Sequence, residues 1–543
     1  MTSPLPSPEA GPASEAAARA AAFPAGPVFV NPAPRSPRIA TNRRALRTAE
    51  RLVSLAVREG RLERAVGLAA TAARFASQRH PGQFCSVPLE ENLGEVSAAW
   101  FGHGRPAVAA LDSPAWPAQI LHVCTRTVAL GGHTRWLERL IAADTGRHHS
   151  IVVTAPDGSP PLALQRAVAV SGGKVTYLPV TARTWHDRAL ALRDLAAPFD
   201  AVVLTSDPGD PLPSVAFGVR LPGKPVVRFN HADHLFWLGA GISDLLIEFR
   251  PLGAALSVER RGYPANRQVV LPLPIDRTDL ERQAPARAAL GLPEDAAVLL
   301  SVGAAYKFGR PGTDGGGDGD ACGNEPRFSA LVDAALLGVP NLVILAVGPD
   351  PADGWSEVVS RWGGRFRVVP PTRQLGTFMA AADIFLNPFP VGSDTVMWEA
   401  AAAALPIVML QPAARELGLM RGDPSELGPG ARAAVGVAEL VDAIADLTSS
   451  PDQRARVGAL ASAAAEARLM PAWGQSLSPL WDAVRDVRYA TMRAADLAPR
   501  HQLSLVDPAV MSWSSDGPLW RHLVRRITPR IQPTGPTSHG SLS

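Results

Sequence analysis

Three stretches of this chain gather side chains that could do chemistry. Asn230-His231-Ala232-Asp233-His234 sets two imidazoles around one carboxylate. An imidazole titrating near neutral pH can take a proton from a hydroxyl group, and Asp233 could orient it. His231 is the first candidate for that base, and His133, far upstream, the second. The same two histidines and aspartate could instead bind a metal, which their short intervals permit but do not select. The second stretch is Asn387-Pro388-Phe389-Pro390-Val391-Gly392-Ser393-Asp394. Its prolines bar a helix, Gly392 supplies a flexible turn, and Ser393 and Asp394 are good N-cap residues. A helix starting there points free backbone N–H groups past the strand end, a natural place for a phosphate. Glu399, in the second turn, could accept hydrogen bonds from sugar hydroxyls. The third stretch, Ser301-Val302-Gly303-Ala304-Ala305-Tyr306-Lys307, ends a strand in small residues and one cation. Phe236 and Trp237 could stack on a sugar ring or pack in the core.

Those groups need elements to hold them. Apolar runs at 119–123, 150–154, 174–178, 201–204 and 225–229 read as strands, with helical patterns at 162–170 and 185–195. A second series places strands at 297–302, 341–347, 366–369, 384–386 and 407–410, and helices at 328–337, 375–382 and 395–404. The alternation predicts an α/β protein of two tandem Rossmann-like domains, each with a mainly parallel sheet, and a cleft between their carboxyl-edge loops. The expected divisions are a disordered Pro/Ala/Ser/Gly tail at 1–37, a helical appendage at 38–115, the two domains at 116–276 and 277–490, and an extension at 491–543. Within the appendage, residues 39–80 form a helical hairpin similar to one tetratricopeptide unit, without a second copy. It is a structural part or a surface for a protein partner.

Composition excludes several classes. Among 543 residues, 53 Lys and Arg face 50 Asp and Glu, a net charge of +3. That gives no electrostatic case for nucleic acid as the main partner. Cys85, Cys124 and Cys322 form no C-x-x-C pair, so neither a disulfide framework nor a zinc site is expected, and a reducing cytoplasm fits. No run is long and apolar enough for a transmembrane segment, and peripheral membrane contact stays open. The Gly/Asp loop at 310–324, with Asp314, Asp318 and Asp320, lacks the calcium-loop spacing. Neither Gly131-Gly132 nor Gly303-Ala304-Ala305 completes the dinucleotide fingerprint, and there is no P-loop.

The tandem arrangement resembles the GT-B glycosyltransferases, and two motifs carry the resemblance. Leu386-Asn387-Pro388-Phe389-Pro390-Val391-Gly392-Ser393 is similar to the N-P-F-P-F-G-N-T segment of bacterial cytoplasmic protein glycosyltransferases related to O-GlcNAc transferase. Glu399-Ala400 through Leu405-Pro406-Ile407-Val408 is similar to the E-A-x-A-x-G-x-P-V-V segment of the large retaining family. Retaining members usually carry a glutamate eight positions before the residue matched by Glu399, where this chain has Val391. The resemblance implies a metal-independent transferase without a cofactor, moving a sugar from a nucleoside diphosphate donor to a hydroxyl acceptor. It implies donor contacts by Lys307, Gly392, Ser393, Asp394 and Glu399, with Arg310 a weaker substitute for Lys307. It also implies that Gly131 and Gly132 let the first helix approach the phosphate, and that Pro370-Pro371-Thr372 lines the base pocket. An epimerase of the same fold and a non-catalytic scaffold are the rival readings.

Overall fold

Among the described residues, short and mostly apolar runs make thirteen strands in two parallel sheets. The computed structural model describes residues 37–102, 116–128, 132–156, 158–275, 283–309, 327–352, 354–372, 374–411, 424–488 and 491–499. The tail at 1–36, Gly131, the Gly/Asp loop with Arg310 and Cys322, and residues 500–543 lie outside them.

The first sheet contains β1 (Gln119–Cys124), β2 (His148–Val153), β3 (Val175–Tyr177), β4 (Ala201–Thr205), β5 (Val226–Phe229), β6 (Leu245–Glu248) and β7 (Gln268–Val270), in the order β3-β2-β1-β4-β5-β6-β7. The second contains β8 (Ala297–Val302), β9 (Leu342–Val347), β10 (Phe366–Val369), β11 (Ile384–Leu386), β12 (Ile407–Leu410) and β13 (Ala431–Ala434), in the order β10-β9-β8-β11-β12-β13. All neighbouring strands are parallel. Parallel sheets must be covered on both sides, and the side chains alternate accordingly. Leu121, Val123, Val202 and Leu204 join one core cluster, while Ile120, Cys124, Ala201 and Val203 join another.

The N-terminal helices form one of those covering layers. Among the described residues these are Pro37–Arg58, Leu62–Gln78 and Val87–Phe101, and their Leu46, Val53, Ala69 and Leu93 share a core cluster with β1, β2 and β4. The helices expected as an appendage therefore pack directly on the first sheet. Its third helix begins at the N-cap Ser86, whose side chain accepts from Leu89 N, with a proline in the first turn. From that helix the buried Glu90 accepts the amides of Gly239, Ala240 and Gly241 at 2.7, 3.2 and 3.1 Å.

The chain also returns to the first domain at its far end. After the helix Pro451–Ala465, Leu469 bridges Ile275, with Ile275 N donating to Arg468 O at 2.7 Å and Met470 N to Ile275 O at 2.9 Å. Trp473, Leu477, Leu480 and Trp481 then pack with Trp116, Ile120 and Trp136 on the first sheet. The amphipathic helix Leu477–Asp486, expected within the second domain, thus finds its apolar partner on the first sheet.

Candidate active site

In each sheet the strand order reverses once, between β1 and β4 and between β8 and β11. Loops leaving such a point diverge and open a crevice at the carboxyl edge. The two crevices face each other across one cleft of about 420 Å³.

The second domain builds one wall from the loops after β8 and β11. Gly303 has to be small: a Cβ there would stand 2.9 Å from both Lys307 Cδ and Ser393 Oγ. Gly348, at φ +115°, brings its backbone against Gly303 O, 1.8 Å from where its own Cβ would sit. Lys307 Nζ donates to Gly392 O at 2.6 Å. Burial lowers this lysine to about 8, while the charge of Asp394 pushes it back up. The buried Asn387 folds the second loop, its Oδ1 accepting from Ser393 N at 2.8 Å. Gly392, Ser393 and Asp394 therefore line the cleft where the helix Asp394–Ala402 begins. Pro371, Thr372 and the half-exposed Tyr306 line it too. Val391 is buried against Ala232, Leu235 and Leu252 of the first domain.

The first domain supplies the other wall. Gly132 opens the helix Gly132–Ala143, and His133 follows it into the cleft. The rings of His133 and His231 lie 5.2 Å apart, centre to centre. Burial lowers the pKa of both, and for His231 the charges of His133 and Arg228 lower it further. Both are neutral imidazoles at pH 7, the form that accepts a proton. His231 Nδ1 lies 3.4 Å from Phe229 O, a long and local contact.

Asp233 has a different partner from the one expected. Its Oδ2 accepts from Arg250 Nε at 2.5 Å and its Oδ1 from Arg250 Nη2 at 2.9 Å, with His234 Nδ1 at 3.1 Å. Burial opposes its charge, yet Arg250 holds the carboxyl well below the usual range. It braces a guanidinium rather than the His231 imidazole. Phe236 and Trp237 are fully buried, and Trp237 lies between the guanidinium groups of Arg228 and Arg261 at 4.2 and 4.7 Å. They belong to the core, not to a sugar platform.

Glu399 also stands apart from its expected place. Its Oε1 accepts from Arg135 Nη1 at 2.7 Å and Arg139 Nη2 at 3.2 Å, both on the first domain's helix. Thr395 and Val396, one turn earlier, line the cleft instead. Among the described residues no cluster of three or more His, Cys, Asp or Glu is placed to hold a metal ion. Arg250, Arg139 and Tyr306 are the residues the sequence reading missed. For Arg250 the signal was there: Leu245 to Ile247 is a short apolar run, and Pro251 marks a helix start just after it.

No family model matches the chain. A curated relative, the UDP-N-acetylglucosamine–N-acetylmuramyl-(pentapeptide) pyrophosphoryl-undecaprenol N-acetylglucosamine transferase of Mycobacterium bovis, is 29% identical over 358 residues, 63% of this chain and 76% of the relative. Among solved structures, a glycosyltransferase from Rickettsia africae superposes with a TM-score of 0.52 at 10% identity, over 68% of this chain and 99% of its own. HepE from Anabaena, crystallised with UDP, gives 0.50 at 15% identity, over 67% of this chain and 99% of its own. The two facing Rossmann-like domains have the GT-B glycosyltransferase fold that the sequence resemblance implied.

Proposed function

We propose that this chain is a glycosyltransferase that moves a sugar from a nucleoside diphosphate donor to a hydroxyl acceptor. One observation carries the reading. Lys307, Gly392, Ser393 and Asp394 on one domain face His133 and His231 on the other, across a cleft at the carboxyl edges of both sheets. A donor diphosphate beside Lys307 and the first amides of the helix Asp394–Ala402 leaves its sugar toward the histidines.

The chemistry follows from those positions. His231 takes the proton of the acceptor hydroxyl, and the oxygen bonds to the anomeric carbon. The bond from that carbon to the diphosphate breaks, and its electron pair stays on the leaving oxygen. Lys307 and the helix amides meet the charge that develops there, so this reading needs no metal ion or cofactor. His133 is the second candidate for the base. Asp233 acts through Arg250, and Glu399 keeps the two domains in register through Arg135 and Arg139 in place of a ribose contact. Buried free thiols at Cys85 and Cys124 suit a cytoplasmic enzyme. No described helix is long and apolar enough to cross a membrane. The acceptor is a hydroxyl of a glycan, lipid, protein or small molecule. The exposed Arg44, Arg47 and Arg51 on the first helix offer a surface to a protein partner.

The relative from Mycobacterium bovis is named for transfer from UDP-N-acetylglucosamine, and HepE was crystallised with UDP, so UDP-sugars head the panel to test. Thermal-shift and donor-hydrolysis assays with UDP-, GDP- and ADP-sugars should single out one nucleotide. A folded chain that binds and hydrolyses none of them would overturn the reading.

A further inference from the structure

Among the described residues lining the cleft, Arg250 is a strong charge to which the proposed reaction gives no contact with the substrate. It follows β6, is 5% exposed, and gives Nε and Nη2 to Asp233. A rigid guanidinium fixed at two nitrogens has its third fixed as well. That third nitrogen, Nη1, reaches Asp394 Oδ2 of the other domain at 3.2 Å. Gly253 leaves the room this requires, since a Cβ there would lie 2.9 Å from Asp233 Oδ2. The Asp394 carboxylate is bound directly by Arg250, and its charge also reaches Lys307 and Arg468, the latter paired with Glu426. It therefore marks the point where negative charge is best received.

Resting on the glycosyltransferase reading, we propose that Arg250 binds the donor diphosphate from the first domain, exchanging the Asp394 carboxylate for a phosphate oxygen. Asp394 is 22% exposed and lines the cleft at the head of its helix. A phosphate offers more charge and more acceptor oxygens to the same guanidinium, and such charge-assisted bonds are short and strong. Asp233 is then a positioning residue, and Asp394 a built-in competitor. The diphosphate is gripped from both domains, by Lys307 on one and Arg250 on the other.

An unusual sign follows, because removing a charged side chain from the site should tighten binding. Calorimetry on the full chain with UDP, or with GDP or ADP if one of those binds instead, tests it against the matching nucleoside. Asp394→Asn should raise diphosphate affinity about three- to tenfold. Arg250→Ala should lower it about ten- to hundredfold, and Asp233→Asn should lower it to a smaller extent. None of the three should change nucleoside affinity, a pattern that a merely structural role would not give. Where Arg250→Ala fails to fold, Asp394→Asn still decides. Weaker diphosphate binding by Asp394→Asn, or wild-type binding by folded Arg250→Ala, overturns the assignment and leaves the glycosyltransferase reading standing. Absence of any nucleoside diphosphate binding by the wild-type chain overturns both.

Discussion

A Cβ on Gly132 would stand 3.2 Å from Oγ1 of Thr395. These residues sit in the first turns of two helices from different domains, Gly132–Ala143 and Asp394–Ala402. Each helix start carries about half a positive charge, and both are brought to one cleft. Gly132→Val should hold the domains apart at this point. UDP affinity should fall about tenfold, with little change in Tm because Gly132 is exposed. Wild-type affinity by calorimetry would mean that the close approach does not matter to the donor.

Lys307 gives a pH test with a definite sign. It must be charged to bind a diphosphate, and its burial lowers it to about 8, against an ordinary lysine near 10.4. UDP affinity should therefore decline as pH rises through about 8, and Lys307→Ala should lose both the affinity and this pH dependence. A wild-type profile flat to pH 9.5 would contradict the assignment.

For His231 the expected profile has the opposite limb. Burial and the charges of His133 and Arg228 hold its pKa well below the usual value, so kcat should be level around neutral pH and fall only in solution more acid than an ordinary imidazole would require. His231→Ala should cut kcat about 10²- to 10⁴-fold and leave KM nearly as it was. Full-rate turnover by the variant would pass the role to His133.

Glu248 lies beneath the site, wholly buried, and accepts from Asn230 Nδ2 at 3.0 and 2.9 Å and from Ser257 Oγ at 2.6 Å. Burial raises it to about 7, above its unfolded value. A group raised in this way stabilises the fold fully below about pH 4.5 and loses that contribution as pH rises through about 7. Glu248→Gln should remove that loss, worth roughly 1–3 kcal/mol at pH 8. Asn230 Oδ1, buried without a partner, can receive the new amide once the Asn230 side chain turns over. The check is the difference in Tm between wild type and variant at pH 5 and at pH 8, and an equal difference at both would refute the titration.

The second domain was the more legible half. Strands 297–302, 366–369, 384–386 and 407–410 stand where the apolar runs put them, because a strand buried on both faces leaves an unbroken apolar signature. β13 escaped notice because Ala-Arg-Ala-Ala has the composition of a helix, and pairing with β12 overrides that preference. Missing β6 also hid Arg250, and without it the loop histidines were the only partners in view for Asp233. Lys307 and Gly392 to Asp394 could be placed at the cleft from their strands alone. The partners of Glu399 could not, since Arg135 and Arg139 lie more than 250 residues away and meet it only through the docking of two domains.

The backbone pairing of Ile275 with Leu469, made by Ile275 N on Arg468 O and Met470 N on Ile275 O, bears on how the two domains can move. Among the described residues, the segment that leaves the first domain and the one that returns to it lie side by side, tied by backbone hydrogen bonds. Bodies joined by one strand can swivel freely, whereas a paired ribbon bends about a single axis and resists twist. A hinge of that kind would keep Arg250 and Asp394 in one register as the domains open and shut.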